Sequence, residues 1–364
     1  AVQAIYAKVT IIATGGYGSL YKNYTTNAEG ATGDGIAAVL RAGGRVSDME
    51  FVQFHPTALQ SSSVLISESA RGEGGYLVNG QEERFVNELL PRDVVARAIA
   101  AEIEQGESVF LDVRHFGKEK LLKLMPQEVH LCQLYEGIDP VSELIPIKPV
   151  AHYTMGGIDV NDQLAVNGLQ NCYAVGECSN AKIHGANRLG GNSLLEIVSM
   201  GRLAGVNAAN RSRMHSHAQH GNEERLEADQ EYIEGLFEEY PFMMNFYDEQ
   251  QILGEQFYQT VGIVRDNNQL NNTLNTLRVL RASLDDMGIT DKNREHNSNL
   301  VDFLQFINLL EVGEVVINAA LIRDESRGAH YKRAYPNEEP SFLAHSVFWV
   351  EEGILQNRLV KVVQ

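Results

Sequence analysis

One stretch near the start of the chain restricts the possible folds more than any other. Residues Val9–Ala13 form a continuous apolar run that enters the glycine-rich turn Thr14–Gly18, and a second apolar run, Ile36–Leu40, follows Gly33 and Gly35. An apolar run bounded by glycines predicts a buried strand that leads into a tight turn, and the second run predicts a helix. Together they indicate an α/β layer whose strand ends form a ligand-binding edge.

The character of the sequence changes along the chain and predicts several parts. After residue 61, Arg92–Glu104 and Lys118–Cys132 are predicted helices and Ser108–Val113 is a predicted strand. Leucines at helical spacing predict a helical bundle further on, namely Leu270, Leu274, Leu277, Leu280 and Leu284. The predicted parts are an α/β layer at 1–60, an inserted α+β domain at 61–149, the α/β layer again at 150–206, a helical domain at 207–330 and a C-terminal extension at 331–364.

Composition excludes several classes of protein. The chain has 30 Lys and Arg but 48 Asp and Glu, a net charge of −18, which argues against nucleic-acid binding through a broad basic face. Its cysteines, Cys132, Cys172 and Cys178, form no CxxC pair, so neither a disulfide scaffold nor a cysteine-based zinc site is expected. No apolar run is long enough to span a bilayer, and Leu304–Ile322, which contains Asn and Glu, predicts a buried helix.

A short histidine-rich tract is formed by His215, His217 and His220. A metal site is one interpretation of such a tract. No carboxylate or cysteine stands at a useful spacing beside it, so we interpret it as a solvated linker and expect no metal site.

Histidines and arginines stand close to glycines at several points of the chain. Guanidinium groups remain charged and match the geometry of carboxylates, and glycines let the backbone approach a ligand closely. A site that combines His55, Arg92, His152 and Arg188 is therefore predicted to hold a small dicarboxylate. Residues 192–194 are predicted to open a helix, whose N-terminal amides favour a partial negative charge.

Five sequence boxes have an order and spacing that resemble one family. They are HPT at His55, E-x-x-RGEGG at Glu68, PRD at Arg92, HYTMGG at His152 and HGANRLGGNSL at His184. Between Ala13 and His330 the chain resembles the flavoprotein subunit of the succinate dehydrogenase and fumarate reductase family. The resemblance implies an α/β fold with part of an FAD-binding domain of the two-dinucleotide-binding type, an inserted α+β capping domain and a C-terminal helical domain.

The resemblance also implies a reaction and residues that perform it. The enzyme would interconvert succinate and fumarate by hydride transfer at the flavin N5 atom and proton transfer through Arg92, with Glu68 and Arg71 as the proton relay. Dicarboxylate binding is expected from His55, Ser67, His152 and Arg188. FAD binding is expected from Asp34, Glu177, Ser193 and Leu194.

The same resemblance implies partners and a location. Members of the family exchange electrons with an iron–sulfur subunit and a quinone, and many have a membrane-anchor subunit. We therefore expect membrane association through partner subunits at the cytoplasmic face of the inner membrane. No nucleic-acid partner is expected.

Departures from the family pattern leave alternatives open. The fingerprint G-x-G-x-x-G does not occur, because Tyr21 stands where a third glycine would follow Gly16 and Gly18, and the histidine that carries a covalent flavin in many members is not found. We therefore expect that the N-terminal dinucleotide-binding segment is lacking, and covalent flavin attachment stays open. L-aspartate oxidase, which shares several boxes, is the alternative enzyme, although Met155 and Arg188–Gly191 favour the succinate and fumarate branch. The second alternative is a catalytically incomplete fragment without flavin.

Overall fold

The computed structural model of the chain describes residues 2–218, 221–238 and 244–362. Its strands are β1 (Thr10–Ile12), β2 (Val46–Ser47), β3 (Val52–Leu59), β4 (Tyr76–Asn79), β5 (Val109–Asp112), β6 (Ile145–Thr154), β7 (Gly157–Asp159), β8 (Cys172–Ala174), β9 (Ser179–Asn180), β10 (Ala344–Glu351) and β11 (Ile354–Lys361). Its α-helices are α1 (Asp34–Arg41), α2 (Ser69–Gly72), α3 (Arg92–Glu104), α4 (Gly117–Leu124), α5 (Pro126–Tyr135), α6 (Asn192–Arg213), α7 (Glu223–Leu236), α8 (Phe246–Thr260), α9 (Asn267–Ala282) and α10 (Ser298–Ile322). Short 3₁₀ helices cover Gly18–Tyr21, Arg114–Phe116, Leu284–Asp286 and Pro340–Phe342.

Two buried cores organise these elements. The larger core joins side chains from the α/β layer and from the later helices, with Val46, Phe54, Leu277 and Phe306 among its members. The smaller core consists of side chains between residues 59 and 147. We call the parts around the larger and the smaller core the body and the cap. The body therefore unites segments that the sequence analysis assigned to separate α/β and helical domains, and those domain boundaries stay a prediction.

The predicted strand and helix near the start of the chain are both present. β1 pairs in parallel with β8, and α1 follows Gly33, whose φ of 73° suits a residue without a Cβ atom. The prediction that this strand is buried is wrong, because Ile11 is 43% exposed. Among the described residues β8 is its only partner strand, so this layer is too narrow to enclose its own side chains.

The C-terminal hairpin completes a sheet of the body. β10 and β11 pair antiparallel, and β10 continues into a sheet of order β11-β10-β2-β7-β9. Phe348 on β10 lies opposite Val46 on β2 and is fully buried. The segment predicted as a C-terminal extension thus contributes both strands and core side chains to the body.

The cap is a sheet covered by helices. Its strand order is β3-β6-β5-β4, and side chains of α3, α4 and α5 fill the smaller core. α3 spans Arg92–Glu104 as predicted. The prediction of one helix over Lys118–Cys132 is wrong, because α4 ends at Leu124 and α5 begins at Pro126. Proline has no N–H to donate and disfavours a helical conformation in the residue before it, so the helix must restart there.

Two long strands connect the body to the cap. Phe54 of β3 lies in the larger core and Leu59 in the smaller one; on β6, Ala151 lies in the larger core and Ile147 in the smaller one. The two strands pair antiparallel, and their register shifts just after His55. Residues in the middle of these strands therefore lie at the junction between body and cap.

The later helices pack on the body. The predicted leucine stripe is confirmed on α9, where the buried residues include Leu270, Leu274, Leu277 and Leu280. Leu284 follows the helix and is half-buried in a 3₁₀ turn. α10 contains the predicted buried helix and packs against α9. In the described part of the chain, no helix is both long and apolar enough to cross a membrane.

Buried charges join the C-terminal segment to the body. Arg323 donates from Nη1 to Glu325 at 2.9 Å and also pairs through Nε with Glu50, while Ser346 Oγ donates to the second Glu50 oxygen at 2.6 Å. All these side chains are fully or almost fully buried. Burial raises the pKa of Glu50, and the nearby Arg323 guanidinium opposes that rise. The C-terminal segment is therefore held by ion pairs as well as by strand pairing.

Candidate functional site

Two histidines meet where β3 and β6 cross from the body to the cap. The ring centroids of His55 and His152 are 5.1 Å apart, in an edge-to-face arrangement. Thr26 Oγ1 lies 2.7 Å from Nδ1 of His152, and the Thr57 carbonyl oxygen lies 3.2 Å from Nδ1 of His55. Removal from water lowers the pKa of His152 to about 4 and that of His55 well below its usual value, and the charge of Arg92 adds to the effect at both rings. Both histidines are therefore neutral at pH 7.

Two arginines from distant parts of the chain converge on one amide. Gln53 Oε1 accepts hydrogen bonds from Arg92 Nη1 at 2.9 Å and from Arg188 Nη2 at 3.3 Å. Arg92 begins α3 of the cap, whereas Arg188 lies before α6 of the body with its guanidinium 4.2 Å from the Tyr153 ring centroid. Both arginines are buried, and Nε of Arg188 has no hydrogen-bond partner among the described residues. Two buried cations with a spare donor suit an anionic ligand.

A line of charged groups leads away from Arg92. Its Nε donates to Glu68 Oε2 at 3.2 Å, and Arg71 Nη2 donates to Glu68 Oε1 at 3.4 Å. Arg71 Nη1 also donates to the carbonyl oxygen of Glu88 at 2.7 Å. The hydrogen bond from Arg92 lowers the pKa of Glu68, and burial lowers the pKa of Arg71. The Glu68 side chain is 43% exposed, so the line joins the buried Arg92 to solvent.

Most of the predicted catalytic and substrate-binding residues lie close together. The residues linked by these contacts and charges are His55, Glu68, Arg71, Arg92, His152 and Arg188. Ser67 directly precedes Glu68, and its hydroxyl oxygen accepts a hydrogen bond from Ser69 at 2.7 Å. The individual roles expected for these residues stay predictions.

Several residues of the site were missed by sequence reasoning. Gln53 Nε2 donates to Asn187 Oδ1 at 2.7 Å, so two amides lie among the charged groups. Glu196 Oε2 accepts from the Tyr153 hydroxyl at 2.7 Å and lies 2.8 Å from Nε2 of His184, which ties β6 to α6. All five stand in or beside the boxes noted above. Their position in or beside these boxes was the only sequence signal of a functional role. The sequence does not show which residue an amide or a phenol will contact.

A second part of the site lies where the parallel strands β1 and β8 end. Gly15 follows β1 with φ 75°, and Gly176 follows β8 with φ 76°. A Cβ atom at Gly15 would meet open space. Glu177 accepts a hydrogen bond from the backbone N–H of Thr154 at 2.9 Å, and burial raises its pKa. Nucleotide cofactors bind at such an edge, outside the carboxyl ends of adjacent parallel strands.

α6 begins at this edge. Gly191, which precedes it, has φ 81°, and no side chain caps the helix, so the partial positive charge of its first turn is not offset by a capping oxygen and favours an anion. Ile197 of the helix lies 3.5 Å from where a Cβ atom of Gly176 would be. Ser193 and Leu194 lie in the first turn, and Leu194 is 68% exposed. A helix N-terminus without a side-chain cap suits a phosphate group, and an exposed apolar side chain beside it suits a flat ring. FAD contains both phosphates and a flat ring.

Asp34 has different neighbours from the other predicted cofactor residues. Its carboxylate accepts a hydrogen bond from Asn308 Nδ2 on α10 at 2.9 Å. The preceding Gly33 N–H donates to the carbonyl oxygen of Gly16 at 3.2 Å, so α1 begins beside the glycine turn. The carboxylate itself is thus engaged by the later helices, and its cofactor contact stays a prediction.

The histidine tract lies away from these groups. His215 Nε2 lies 3.1 Å from Asn171 Oδ1, and His217 is exposed. His220 lies outside the described residues. Within the ranges that the structure describes, no three His, Cys, Asp or Glu side chains are grouped so that they could hold a metal ion.

Gly190 allows the backbone to pass close to the Arg92–Glu68 pair, and its replacement gives a testable result. A Cβ atom there would lie 2.9 Å from Glu68 Oε2 and 3.4 Å from Arg92 Nη2. Because these are the mobile ends of side chains, Gly190→Ala is expected to leave the melting temperature nearly unchanged while lowering kcat about tenfold. Thermal unfolding and steady-state kinetics of the holoenzyme check both parts. Gly201→Ala, on α6 with open space around the new Cβ atom, is the matched control.

Comparisons with known proteins agree with this arrangement. Residues 1–194 match the family described as FAD binding domain, and residues 250–362 match the family described as fumarate reductase flavoprotein C-term. The chain is 37% identical to the 8-methylmenaquinol:fumarate reductase flavoprotein subunit of Wolinella succinogenes, over 97% of this chain and 60% of that protein. It is 36% identical to a fumarate reductase flavoprotein subunit of Mycobacterium tuberculosis, over 95% of this chain and 64% of that protein.

A solved structure extends the comparison to the fold. A mutant of E. coli quinol fumarate reductase has a TM-score of 0.89 and 34% identity, over 97% of this chain and 65% of that one. The chain thus spans about 60% of the length of the Wolinella relative. The predicted fold class and the prediction of FAD as the cofactor are confirmed. The chain belongs to the succinate dehydrogenase and fumarate reductase flavoprotein family, an oxidoreductase family with an FAD-binding domain.

Proposed function

We propose that this chain supplies the dicarboxylate site and the proton path of an FAD-dependent enzyme that interconverts succinate and fumarate. The observation that carries the proposal is the convergence of Arg92 and Arg188 on Gln53, beside His55 and His152. Two cations can receive the two carboxylates of a small dianion. The names of the relatives, which are fumarate reductase flavoprotein subunits, support the same substrate class.

The charge pattern suits a dicarboxylate held in a fixed orientation. Buried Arg188 offers its guanidinium to one carboxylate, including an Nε that has no hydrogen-bond partner in the described part of the chain. The neutral His55 and His152 add directional hydrogen bonds from Nε2–H without adding charge, because their pKa values are depressed and their Nδ1 atoms can accept from the Thr57 N–H and the Thr26 hydroxyl. Polarising the carboxylates of fumarate in this way makes its double bond a better hydride acceptor. Burial strengthens these interactions by excluding water.

In this proposal Arg92 exchanges a proton with the substrate. A free guanidinium is a very poor acid, so this role requires that a lost proton be replaced at once. Glu68, at 3.2 Å from Arg92 Nε, can pass to it a proton that Glu68 first receives from Arg71 or solvent. FAD, when bound, supplies the two-electron step by exchanging a hydride at its N5 atom. Glu177, Ser193, Leu194 and Asp34 are the residues proposed to hold it.

The proposed partners follow from the relatives. Both proteins are named flavoprotein subunits, which implies an assembly, and the Wolinella protein is also named for a menaquinol. We propose that electrons pass between the flavin and a quinone through an iron–sulfur subunit. A membrane-anchor subunit would then hold the complex at the cytoplasmic face of the inner membrane.

An anaerobic absorbance spectrum tests the proposed function. The purified protein is titrated first with succinate and then, in a separate sample, with L-aspartate. A flavin band that bleaches with succinate supports the proposal. Bleaching by L-aspartate alone would replace it by the L-aspartate oxidase function. A protein without a flavin band after reconstitution with FAD would contradict the proposal and favour the catalytically incomplete fragment.

A further inference from the structure

A chain of hydrogen-bonded polar side chains runs from the cap to the two arginines. Asp93, next to Arg92 on α3, accepts from Asn187 Nδ2 at 2.7 Å. Asn187 Oδ1 accepts from Gln53 Nε2 at 2.7 Å, and Gln53 Oε1 accepts from Arg92 and Arg188. This series of hydrogen bonds therefore starts at Asp93, next to Arg92 in the cap, passes through Asn187 and Gln53 in the body, and returns to Arg92.

The carboxylate at one end dictates how each amide points. Asp93 has acceptors only, and its other oxygen is held by Arg97 Nη2 at 2.9 Å. The Asn187 NH₂ group must therefore face Asp93, which turns its oxygen towards Gln53. Gln53 must then direct its NH₂ group to Asn187, where it also meets the carbonyl oxygen of Arg188 at 2.7 Å. The Gln53 oxygen is thereby left for the two guanidinium groups.

A neutral oxygen between the arginines has a chemical advantage. It fixes both guanidinium groups by hydrogen bonds without adding a second negative charge to that of Glu68, which already pairs with Arg92. A carboxylate at the same place would pair with the cations and compete with a substrate dianion. Asp93 is the one carboxylate in this series of hydrogen-bonded side chains. Two amides separate it from the arginines, and it is paired with Arg97 instead.

We propose that Asp93 and Asn187 are positioning residues, which set the orientation of the Gln53 amide and through it the placement of Arg92 and Arg188. The proposal rests on the proposed function, since that function gives the two arginines their roles. A purely structural role would require only that a hydrogen bond joins cap and body at this point. The two roles differ in what happens when the direction of the hydrogen bonds is reversed.

Asp93→Asn reverses that direction without changing the shape of the side chain. Arg97 still donates to the side-chain oxygen at position 93, so the new NH₂ group at that position faces Asn187. Asn187 must then turn its NH₂ group towards Gln53. Gln53 either turns, so that its NH₂ group meets two guanidinium donors, or keeps its bond to the Arg188 carbonyl and faces the NH₂ group of Asn187; both outcomes disturb the amide that holds Arg92 and Arg188. We expect kcat to fall about tenfold, with a rise in KM of less than about threefold because Arg188 is the more distant partner.

Two further variants make the test decisive. In the double variant Asp93→Asn/Asn187→Asp, the new carboxylate accepts from both neighbours and restores the direction at Gln53, so most of the lost kcat should return. Asn187→Ala merely cuts the chain and leaves Gln53 held by the Arg188 carbonyl, so its loss should be smaller than that of Asp93→Asn. A structural role predicts the opposite order, because alanine removes the hydrogen bond that asparagine keeps.

The body contains a matched control pair. Asn167 Nδ2 donates to Asp159 Oδ2 at 2.8 Å, and Asp159 also pairs with Lys182 at 2.7 Å, as Asp93 pairs with Arg97. Asp159→Asn should change the melting temperature as much as Asp93→Asn does, but leave kcat unchanged. All variants are measured in the holoenzyme by kinetics, thermal unfolding and calorimetric titration with fumarate.

The outcomes separate this inference from the proposed function. If wild-type protein neither binds fumarate nor turns over, the proposed function fails and the inference fails with it. If the wild type is active and Asp93→Asn stays within about twofold of it, only the inference is wrong. The inference is also overturned if the double variant recovers nothing. Should Asp93→Asn not fold, the comparison of Asn187→Ala with wild type decides, because an unchanged kcat and fumarate affinity there would refute the positioning role.

Discussion

Replacement of Arg92 by lysine is expected to lower turnover about a thousandfold while changing the dissociation constant for fumarate less than about threefold. The guanidinium of Arg92 reaches Gln53 from Nη1 and Glu68 from Nε in the same conformation. A lysine ammonium is a single point charge that cannot hold both contacts and still face a substrate carbon. The positive charge that helps to hold the dianion is retained, so binding should survive the loss of proton transfer.

Steady-state kinetics and calorimetric titration of the holoenzyme check this result. Arg114→Lys is the control, because Arg114 also makes a forked contact, with both oxygens of Asp112, but on the outer part of the cap. It should leave both turnover and binding unchanged. Near-normal turnover in the Arg92 variant would remove Arg92 from the proton path.

The second large effect concerns stability. Arg323→Met is expected to lower the free energy of unfolding by about 3–5 kcal/mol, because it leaves the buried carboxylate of Glu50 without its cation and leaves Glu325 paired with Arg327 instead of with two arginines. The variant also removes hydrogen bonds to the carbonyl oxygens of Phe342 and Ala344, which precede and begin β10. Equilibrium denaturation in urea, followed by circular dichroism, measures the change.

An exposed ion pair supplies the comparison for this variant. Arg225 pairs with Asp229 on the surface of α7, where both side chains are largely exposed. Arg225→Met should cost less than about 1 kcal/mol, because solvent screens such pairs. Equal losses for the two variants would show that the buried network contributes no more than a surface pair.

Local structure was predictable where it depends on neighbours in sequence. The leucines of α9 and the span of α3 follow from helical spacing and were found as predicted. The break at Pro126 was also a local signal, but the apolar pattern across it concealed the break. Burial of Ile11 could not be judged in this way, because it depends on which strands flank β1.

The site was predictable in its charges and not in its amides. Arginines and histidines next to glycines are rare enough to indicate a ligand site, and they were found together. Gln53 and Asn187 are 134 residues apart, and each has many ordinary uses elsewhere in proteins. Only the fold reveals that they face each other and that Gln53 lies between two cations. A sequence thus identifies the charged side chains of a site more readily than the neutral side chains that hold them in position.

The pairing of β2 with β10 has a consequence for the newly made chain. Val46 pairs with Phe348 in this sheet, so about 300 further residues must be synthesised after Val46 before the two strands can pair. At roughly 5–20 residues per second, that interval is of the order of tens of seconds. The smaller core draws on one continuous stretch of about 90 residues and is available to bury long before then. Until β10 and β11 have left the ribosome, the larger core is incomplete, and its exposed apolar surface needs protection from aggregation.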